Sequence, residues 1–129
     1  MPLETGIKGS AGCTVTAADT ARAFGSGGLD VLSTPKLVAL MENAALTAVK
    51  PYLEEGTDTV GTRLDVAHLA ATPVGMTVRA EAELIEIDRR RLVFSVKAWD
   101  EKELVGEGTH ERFIIGIEKF LSKCSSKLG

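Results

Sequence analysis

The sequence has little of what marks a secreted, membrane-spanning or metal-dependent protein. Its 129 residues include only two cysteines, Cys13 and Cys124, whose separation matches no close-spaced metal or redox motif. No apolar run approaches the ~18 residues of a membrane span. The first residues, MPLETGIKGSAGC, lack the basic and apolar regions of a signal peptide. We therefore expect a cytoplasmic protein with ordinary thiols and no membrane partner.

An excess of positive charge is also missing. The 15 Lys and Arg residues are outnumbered by 18 Asp and Glu residues, which gives a formal net charge of −3. Nucleic-acid-binding domains usually present a basic patch or stripe, so we expect no nucleic-acid partner. The sequence contains no internal repeat and no low-complexity linker. A chain of this length suits one hydrophobic core, and residues 1–129 are predicted to form a single domain.

One segment has the periodicity of a helix. Thr34 followed by Pro35 predicts an N-cap with proline at the first helical position. Pro51 predicts that the helix ends or kinks near Lys50. Between these limits, apolar residues recur at helical spacing: Leu37, Leu40, Met41, Ala44, Ala45, Ala48 and Val49. The apolar side of such a helix must be covered by another element.

The rest of the chain reads mainly as strands. A short alternation at Cys13 and Val15 precedes the helix, and four segments follow it at residues 60–71, 77–87, 92–99 and 104–120. The final residues, 122–129, are expected to fray. Since a sheet is the only element available to cover the helix, the predicted fold class is α+β. We expect a curved antiparallel sheet wrapped around a long central helix.

A histidine lies on the face of the first long strand that should be buried. Alternation places His68 on the same side as Val66, Leu64, Thr62 and Val60. A titratable ring among apolar neighbours is either a hydrogen-bonded structural histidine or part of a functional site.

The helix carries a second titratable group in an unexpected place. Its polar side chains cluster in a narrow arc that contains Lys36, Asn43, Thr47 and Lys50. Glu42 lies about 110° from the centre of that arc at ~100° per residue. Glu42 either reaches solvent at the edge of the arc or meets His68 in an acid–base or nucleophile site.

Three segments resemble one known family. STPKLVALMENAA (33–45), PYLEEGTDTVGTRLDVAHLAATPVGMTV (51–78) and GEGTHERFIIGIEKF (106–120) are similar to the hotdog-fold acyl-CoA thioesterases, most closely the fluoroacetyl-CoA thioesterase type. The resemblance implies a hotdog fold in which two subunits form one continuous sheet, with active sites near their interface. It therefore implies an acyl-CoA substrate and a homodimer, or a pair of such dimers.

The resemblance also implies roles for five residues. Thr34, Glu42 and His68 match the family's catalytic threonine, carboxylate and histidine, and Gly61 and Arg112 match further active-site positions that we assign to substrate binding. The implied reaction is hydrolysis of a short-chain acyl-CoA to the free acid and CoA. Glu42 would act as the nucleophile or as the general base for water. No metal-ligand spacing is present, so we predict neither a metal nor a cofactor.

One segment departs from the family. Before the helix the chain reads AFGSGGLDVLST (residues 23–34), whereas the fluoroacetyl-specific enzyme has aromatic side chains there that cover the pocket. Phe24 is the nearest aromatic residue. The resemblance therefore extends to thioester hydrolysis and not to fluoroacetyl selectivity.

Two other functions are open at this level. A non-catalytic acyl-CoA-binding module would bind the same ligands without turnover. A hotdog dehydratase or hydratase would also use an acid and a histidine, but such enzymes tend to place the histidine before the helix acid in the sequence. Here Glu42 precedes His68, which favours the thioesterase.

Overall fold

The computed structural model describes residues 2–129 as one sheet and three α-helices. The strands are β1 (Lys8–Thr14), β2 (Thr57–His68), β3 (Thr77–Asp88), β4 (Arg91–Asp100) and β5 (Leu104–Gly116). The helices are α1 (Ala21–Phe24), α2 (Thr34–Val49) and α3 (Ile117–Ser125). No helix in this range combines the length and hydropathy that crossing a bilayer requires.

The five strands form an antiparallel sheet in the order β1-β3-β4-β5-β2, so β1 and β2 are its edges. Helix α2 contacts every strand and buries its apolar stripe, from Leu37 to Val49, against the inner face of the sheet. The sheet contributes Val78, Ala80, Ala82, Leu84, Leu92, Phe94, Val96, Ala98 and Val105 to this core. The predicted α+β arrangement, a sheet wrapped around a central helix, is confirmed.

Helix α2 approaches the edge strand β1 more closely than a side chain would permit. A Cβ at Gly9 would lie 2.5 Å from the backbone nitrogen of Ala48 and would also overlap the carbonyl oxygen of Ala44. Glycine and alanine therefore let the two elements pack backbone to backbone. Strand β1 starts at Lys8, earlier than the alternation at Cys13 and Val15 predicts. The sequence did not reveal its first residues because Gly9 and Gly12 interrupt the alternation of side chains.

The first turn of α2 differs from the prediction by one residue. Ser33, and not Thr34, is the N-cap, and its hydroxyl accepts a hydrogen bond of 3.1 Å from the backbone nitrogen of Lys36. Pro35 lies within the first turn, where its missing N–H leaves no helical bond unmade. Since Ser33 caps the helix, the hydroxyl of Thr34 is available for another partner.

Strand β2 contains one extra residue relative to its partner β5. Gly61 pairs with Arg112, whereas the preceding residue of β5, Glu111, pairs with Arg63, so Thr62 forms a β-bulge. Because side chains alternate along a strand, one extra residue moves every later side chain to the opposite face.

The bulge overturns part of the predicted alternation. His68 faces the helix as expected, but Thr62 does not, since its hydroxyl donates a 2.8 Å hydrogen bond to a carboxylate oxygen of Glu111 on the outer face. Before the bulge the buried residue is Thr59 and not its neighbour Val60. The expectation that Val60 and Thr62 share the face of His68 was wrong for this reason.

The C-terminal segment also differs from the prediction. Strand β5 ends at Gly116 instead of continuing to residue 120. Helix α3 occupies Ile117–Ser125, and a 3-10 turn follows at Ser126–Leu128, so most of the segment expected to fray is helical. The spacing of Ile117, Phe120, Leu121 and Cys124 is helical and decides the structure of this segment.

The contact at Gly9 generates a prediction about stability. We expect Gly9→Ala to lower the free energy of unfolding by about 1–3 kcal/mol, because the new methyl group meets helix backbone that cannot rotate away. Gly28→Ala is the matched control, since a Cβ there has no atom within 4 Å, and its effect should stay within about 0.5 kcal/mol. Urea unfolding of both variants measures the difference, and equal effects would contradict the packing argument.

Candidate active site

A threonine and a histidine meet at the N-terminal end of α2. Oγ1 of Thr34, the first residue of the helix, lies 2.8 Å from Nδ1 of His68, the last residue of β2. The cap at Ser33 makes this contact possible, because it leaves the Thr34 hydroxyl without a role in the helix.

The surroundings of His68 favour the neutral form of its imidazole. Burial lowers the pKa of His68, and a backbone hydrogen bond at Ala70 opposes this effect only in part. Nε2 is shielded from solvent and forms no hydrogen bond of ordinary geometry. The ring borders a cleft of about 410 Å³ that is lined by Ala21, Ser26, Val31, Leu32, Thr34, His68, Leu69, Ala70 and Ala71. A histidine with a lowered pKa, held at Nδ1 by Thr34, therefore borders a mostly apolar cleft.

A second group forms around Gly61. A Cβ at this position would lie 2.7 Å from Oε2 of Glu42 and 3.3 Å from Nη1 of Arg112. The same two atoms are 3.8 Å apart, so the carboxylate and the guanidinium form an ion pair that borders the space above Gly61, which a side chain at this position would fill. The side chain of Glu42 is 40% exposed and faces Arg112, so it reaches solvent in part and meets an arginine, not His68, within this chain.

Arg112 is fixed by neutral acceptors. Nε donates to Oγ1 of Thr59 and Nη2 to its carbonyl oxygen, both at 2.9 Å, and Nη1 lies 3.1 Å from Nε2 of His110. Burial lowers the pKa of Arg112, whereas the carboxylates of Glu42 and Asp58 raise it. An arginine stays charged in such surroundings. The site therefore contains a permanent cation in a set orientation.

His110 is a site residue that the sequence did not single out. Its side chain is 1% exposed, and Nδ1 lies 2.8 Å from the carbonyl oxygen of Arg63. Burial lowers the pKa of His110, the Arg63 carbonyl raises it, and the charge of Arg112 lowers it further. The available signal was the motif GTHER, in which His110 and Arg112 share one face of the strand. The described part of the chain holds no cluster of His, Cys, Asp or Glu fit for a metal.

The five residues predicted for the site fall into two groups within one chain. Thr34 and His68 form one, and Glu42, Gly61 and Arg112 form the other. Thr34 and Glu42 are eight residues apart on α2, a separation of about 12 Å at 1.5 Å per residue. A direct contact between Glu42 and His68 is therefore not formed within one chain.

Comparison with known proteins agrees with this architecture. The family described as fluoroacetyl-CoA-specific thioesterase matches residues 15–118. A fluoroacetyl-CoA thioesterase of Streptantibioticus cattleyicolor is 46% identical over 98 residues, which cover 76% of this chain and 70% of that protein.

Solved structures show the same fold. A fluoroacetyl-CoA thioesterase variant in complex with acetyl-CoA is 36% identical, with a TM-score of 0.93 over 98% of this chain and 100% of the other. A hot-dog-like protein from Thermanaerovibrio acidaminovorans is 24% identical, with a TM-score of 0.88 over 98% of this chain and 94% of that one. The predicted hotdog fold is confirmed, and the chain belongs to the fluoroacetyl-CoA-specific thioesterase family.

Proposed function

We propose that this protein hydrolyses a short-chain acyl-CoA to the free acid and CoA. The observation that carries the proposal is the space above Gly61, which has a partly exposed carboxylate on one side and a buried guanidinium on the other. A thioester carbonyl that approaches Gly61 would have an oxygen nucleophile or base next to it and a fixed positive charge for the developing oxyanion. The acetyl-CoA bound in a related structure is a ligand of this class.

The proposed chemistry balances without a metal or cofactor. Glu42 takes a proton from water as hydroxide adds to the carbonyl carbon, or it attacks that carbon directly and the resulting anhydride is hydrolysed. In the first route the tetrahedral intermediate expels the CoA thiolate, which takes the proton from Glu42. In the second the thiolate leaves as the anhydride forms, and the water that then hydrolyses the anhydride supplies the proton for the thiolate and restores the Glu42 carboxylate. Oγ1 of Thr34 and Nδ1 of His68 share one hydrogen bond at the end of α2, and this pair would orient the substrate or the attacking water from the side of the cleft.

The two groups of residues form a complete site only in a dimer. Strand β2 is an edge of the sheet, and 38% of the Leu64 side chain on its inner face is exposed. Antiparallel pairing of β2 with its copy would continue the sheet and place the Gly61 end of one strand beside the His68 end of the other. We propose that Glu42 of one subunit works with Thr34 and His68 of its partner.

Cys13 and Cys124 are free thiols, which fits a cytoplasmic enzyme.

The first experiment measures thiol release from acetyl-, fluoroacetyl-, propionyl- and butyryl-CoA. We expect turnover, with a loss of at least ~100-fold in kcat for Glu42→Gln, because the neutral amide neither attacks nor accepts the proton. Asn43→Ala, at the next and exposed position of α2, is the matched control and should retain wild-type activity. Binding of acyl-CoA without release of thiol by the wild type would instead support a non-catalytic binding module.

The same panel tests selectivity. Small residues line much of the cleft near α1, and Phe24 is half exposed and absent from its lining. We expect kcat/KM for acetyl-CoA and fluoroacetyl-CoA to agree within about tenfold, since no aromatic side chain encloses the acyl group. A strong preference for fluoroacetyl-CoA would contradict this expectation.

Gly61→Ala separates activity from stability. The new Cβ would meet the end of the Glu42 side chain, which can rotate away, but it would also lie 3.2 Å from Cε1 of His110 and 3.3 Å from Nη1 of Arg112, which are held in place. The free energy of unfolding should therefore fall by about 1–2 kcal/mol, which leaves the protein folded for the activity assay. Activity should still fall by at least about tenfold, because a displacement near 1 Å at a reacting group has that scale of effect. Retention of wild-type kcat/KM would show that the space above Gly61 is not where the thioester reacts.

Mixing two inactive variants tests the shared site. Glu42→Gln and His68→Ala subunits, unfolded together and refolded, should recover about a quarter of wild-type activity. Half of the dimers are then mixed, and each mixed dimer has one intact site of two. If both residues acted within one chain, no mixture would recover activity. Refolding each variant alone gives the baseline.

A further inference from the structure

The orientation of Arg112 depends on a residue with no assigned role. Two of its three hydrogen-bonding nitrogens are held by Thr59, and the third, Nη1, is the atom that faces both Glu42 and the space above Gly61. Nη1 is held at 3.1 Å by Nε2 of His110. The position of the atom nearest the proposed reaction therefore depends on the imidazole.

Only one protonation state of His110 fits both of its partners. The carbonyl oxygen of Arg63 accepts hydrogen bonds and cannot donate, so Nδ1 carries the ring proton. Nη1 of Arg112 always donates, so Nε2 must present its lone pair. A doubly protonated ring would direct an N–H at the guanidinium and place two cations side by side. The ring is fully buried and tilted against Phe94, with centroids 6.3 Å apart, which leaves it little freedom to turn away.

The charges around the ring oppose one another. Arg112 on β5 disfavours the imidazolium, while the carboxylates of Glu42 on α2 and Glu111 on β5 favour it, as does the Arg63 carbonyl on β2. Strand β4 contributes Phe94, which carries no charge. Burial is the largest effect and lowers the pKa of His110. The geometry and the electrostatics therefore require the same neutral state.

We propose that His110 is a positioning residue that acts through Arg112. Its neutral form, protonated at Nδ1, holds Nη1 of Arg112 against Gly61, so that the guanidinium is oriented for the thioester carbonyl before the substrate binds. This inference rests on the proposed thioesterase function. His110 makes no hydrogen bond to Glu42. Its role in the reaction would be to orient the guanidinium of Arg112, which faces Glu42 and would face the substrate.

A double-mutant cycle on kcat and KM tests the proposal. His110→Leu fills much of the volume without an acceptor, and we expect kcat/KM to fall about 10- to 100-fold, mainly through kcat. His110→Gln offers an amide N–H to Arg63 and an oxygen to Arg112, and should stay within about fivefold of the wild type. In an Arg112→Ala background, His110→Leu should cause no further loss, since the residue it positions is gone.

A second measurement does not depend on turnover or on whether His110→Leu folds. A buried histidine with a lowered pKa takes up its proton more readily in the unfolded chain, so the wild type loses stability as the pH falls below about 6.5. His110→Gln removes this contribution and should show a smaller decrease in Tm between pH 7.5 and pH 5. Identical pH dependence of Tm in both proteins would overturn the neutral state on which the proposal rests.

The outcomes separate the two proposals. If the wild type releases no thiol from any acyl-CoA, the proposed function fails and this inference fails with it. If the wild type is active but His110→Leu causes the same loss with and without Arg112, only the positioning role is overturned. Failure of His110→Gln to preserve activity, with a normal Tm, would have the same meaning.

Discussion

The β-bulge at Thr62 is the constraint on which the site depends. Gly61 and His68 are seven residues apart, so a regular strand would place them on opposite faces. The extra residue brings both to the face that covers α2, one next to Glu42 and the other next to Thr34. A strand without the bulge would keep the fold and lose one of the two groups. Bulges that direct side chains towards an active site are a known use of this irregularity.

Most of the fold followed from periodicity. The helix was predictable because its apolar residues repeat at one spacing for sixteen residues. Strands β3 and β4 were predictable because apolar residues alternate over most of their length, from Val78 to Leu84 and from Leu92 to Ala98. The bulge was not predictable, since one inserted residue leaves each half of β2 alternating normally. The cap was misplaced by one position because Ser33 and Thr34 have the same capping chemistry, and only the contact with His68 distinguishes them.

For the candidate site, the sequence predicted which residues take part but not how they are grouped. Glu42 and His68 drew attention because each is a titratable group among apolar neighbours, and the resemblance to a family supplied Thr34, Gly61 and Arg112. The grouping of these residues was not contained in the sequence, because it depends on where α2 crosses the sheet. His110 was missed because alternation places it on the same face as Arg112 without showing which groups it contacts, and only the structure shows that it is buried between Arg63 and Arg112.

The burial of Arg112 sets the balance between stability and function in this protein. Transfer of a guanidinium into the protein interior is unfavourable by about several kcal/mol, as it is for other buried ions. A protein with an apolar side chain of similar volume at such a position is often at least as stable. The acceptors on Thr59 and His110 offset part of this penalty, yet both are neutral, and Glu42 is too distant and too exposed to compensate the charge fully. Selection for stability alone would therefore favour an apolar side chain at this position. The structure instead keeps a buried cation whose Nη1 faces Gly61 and the partly exposed Glu42, where a transient oxyanion would complete the pairing that the resting protein lacks.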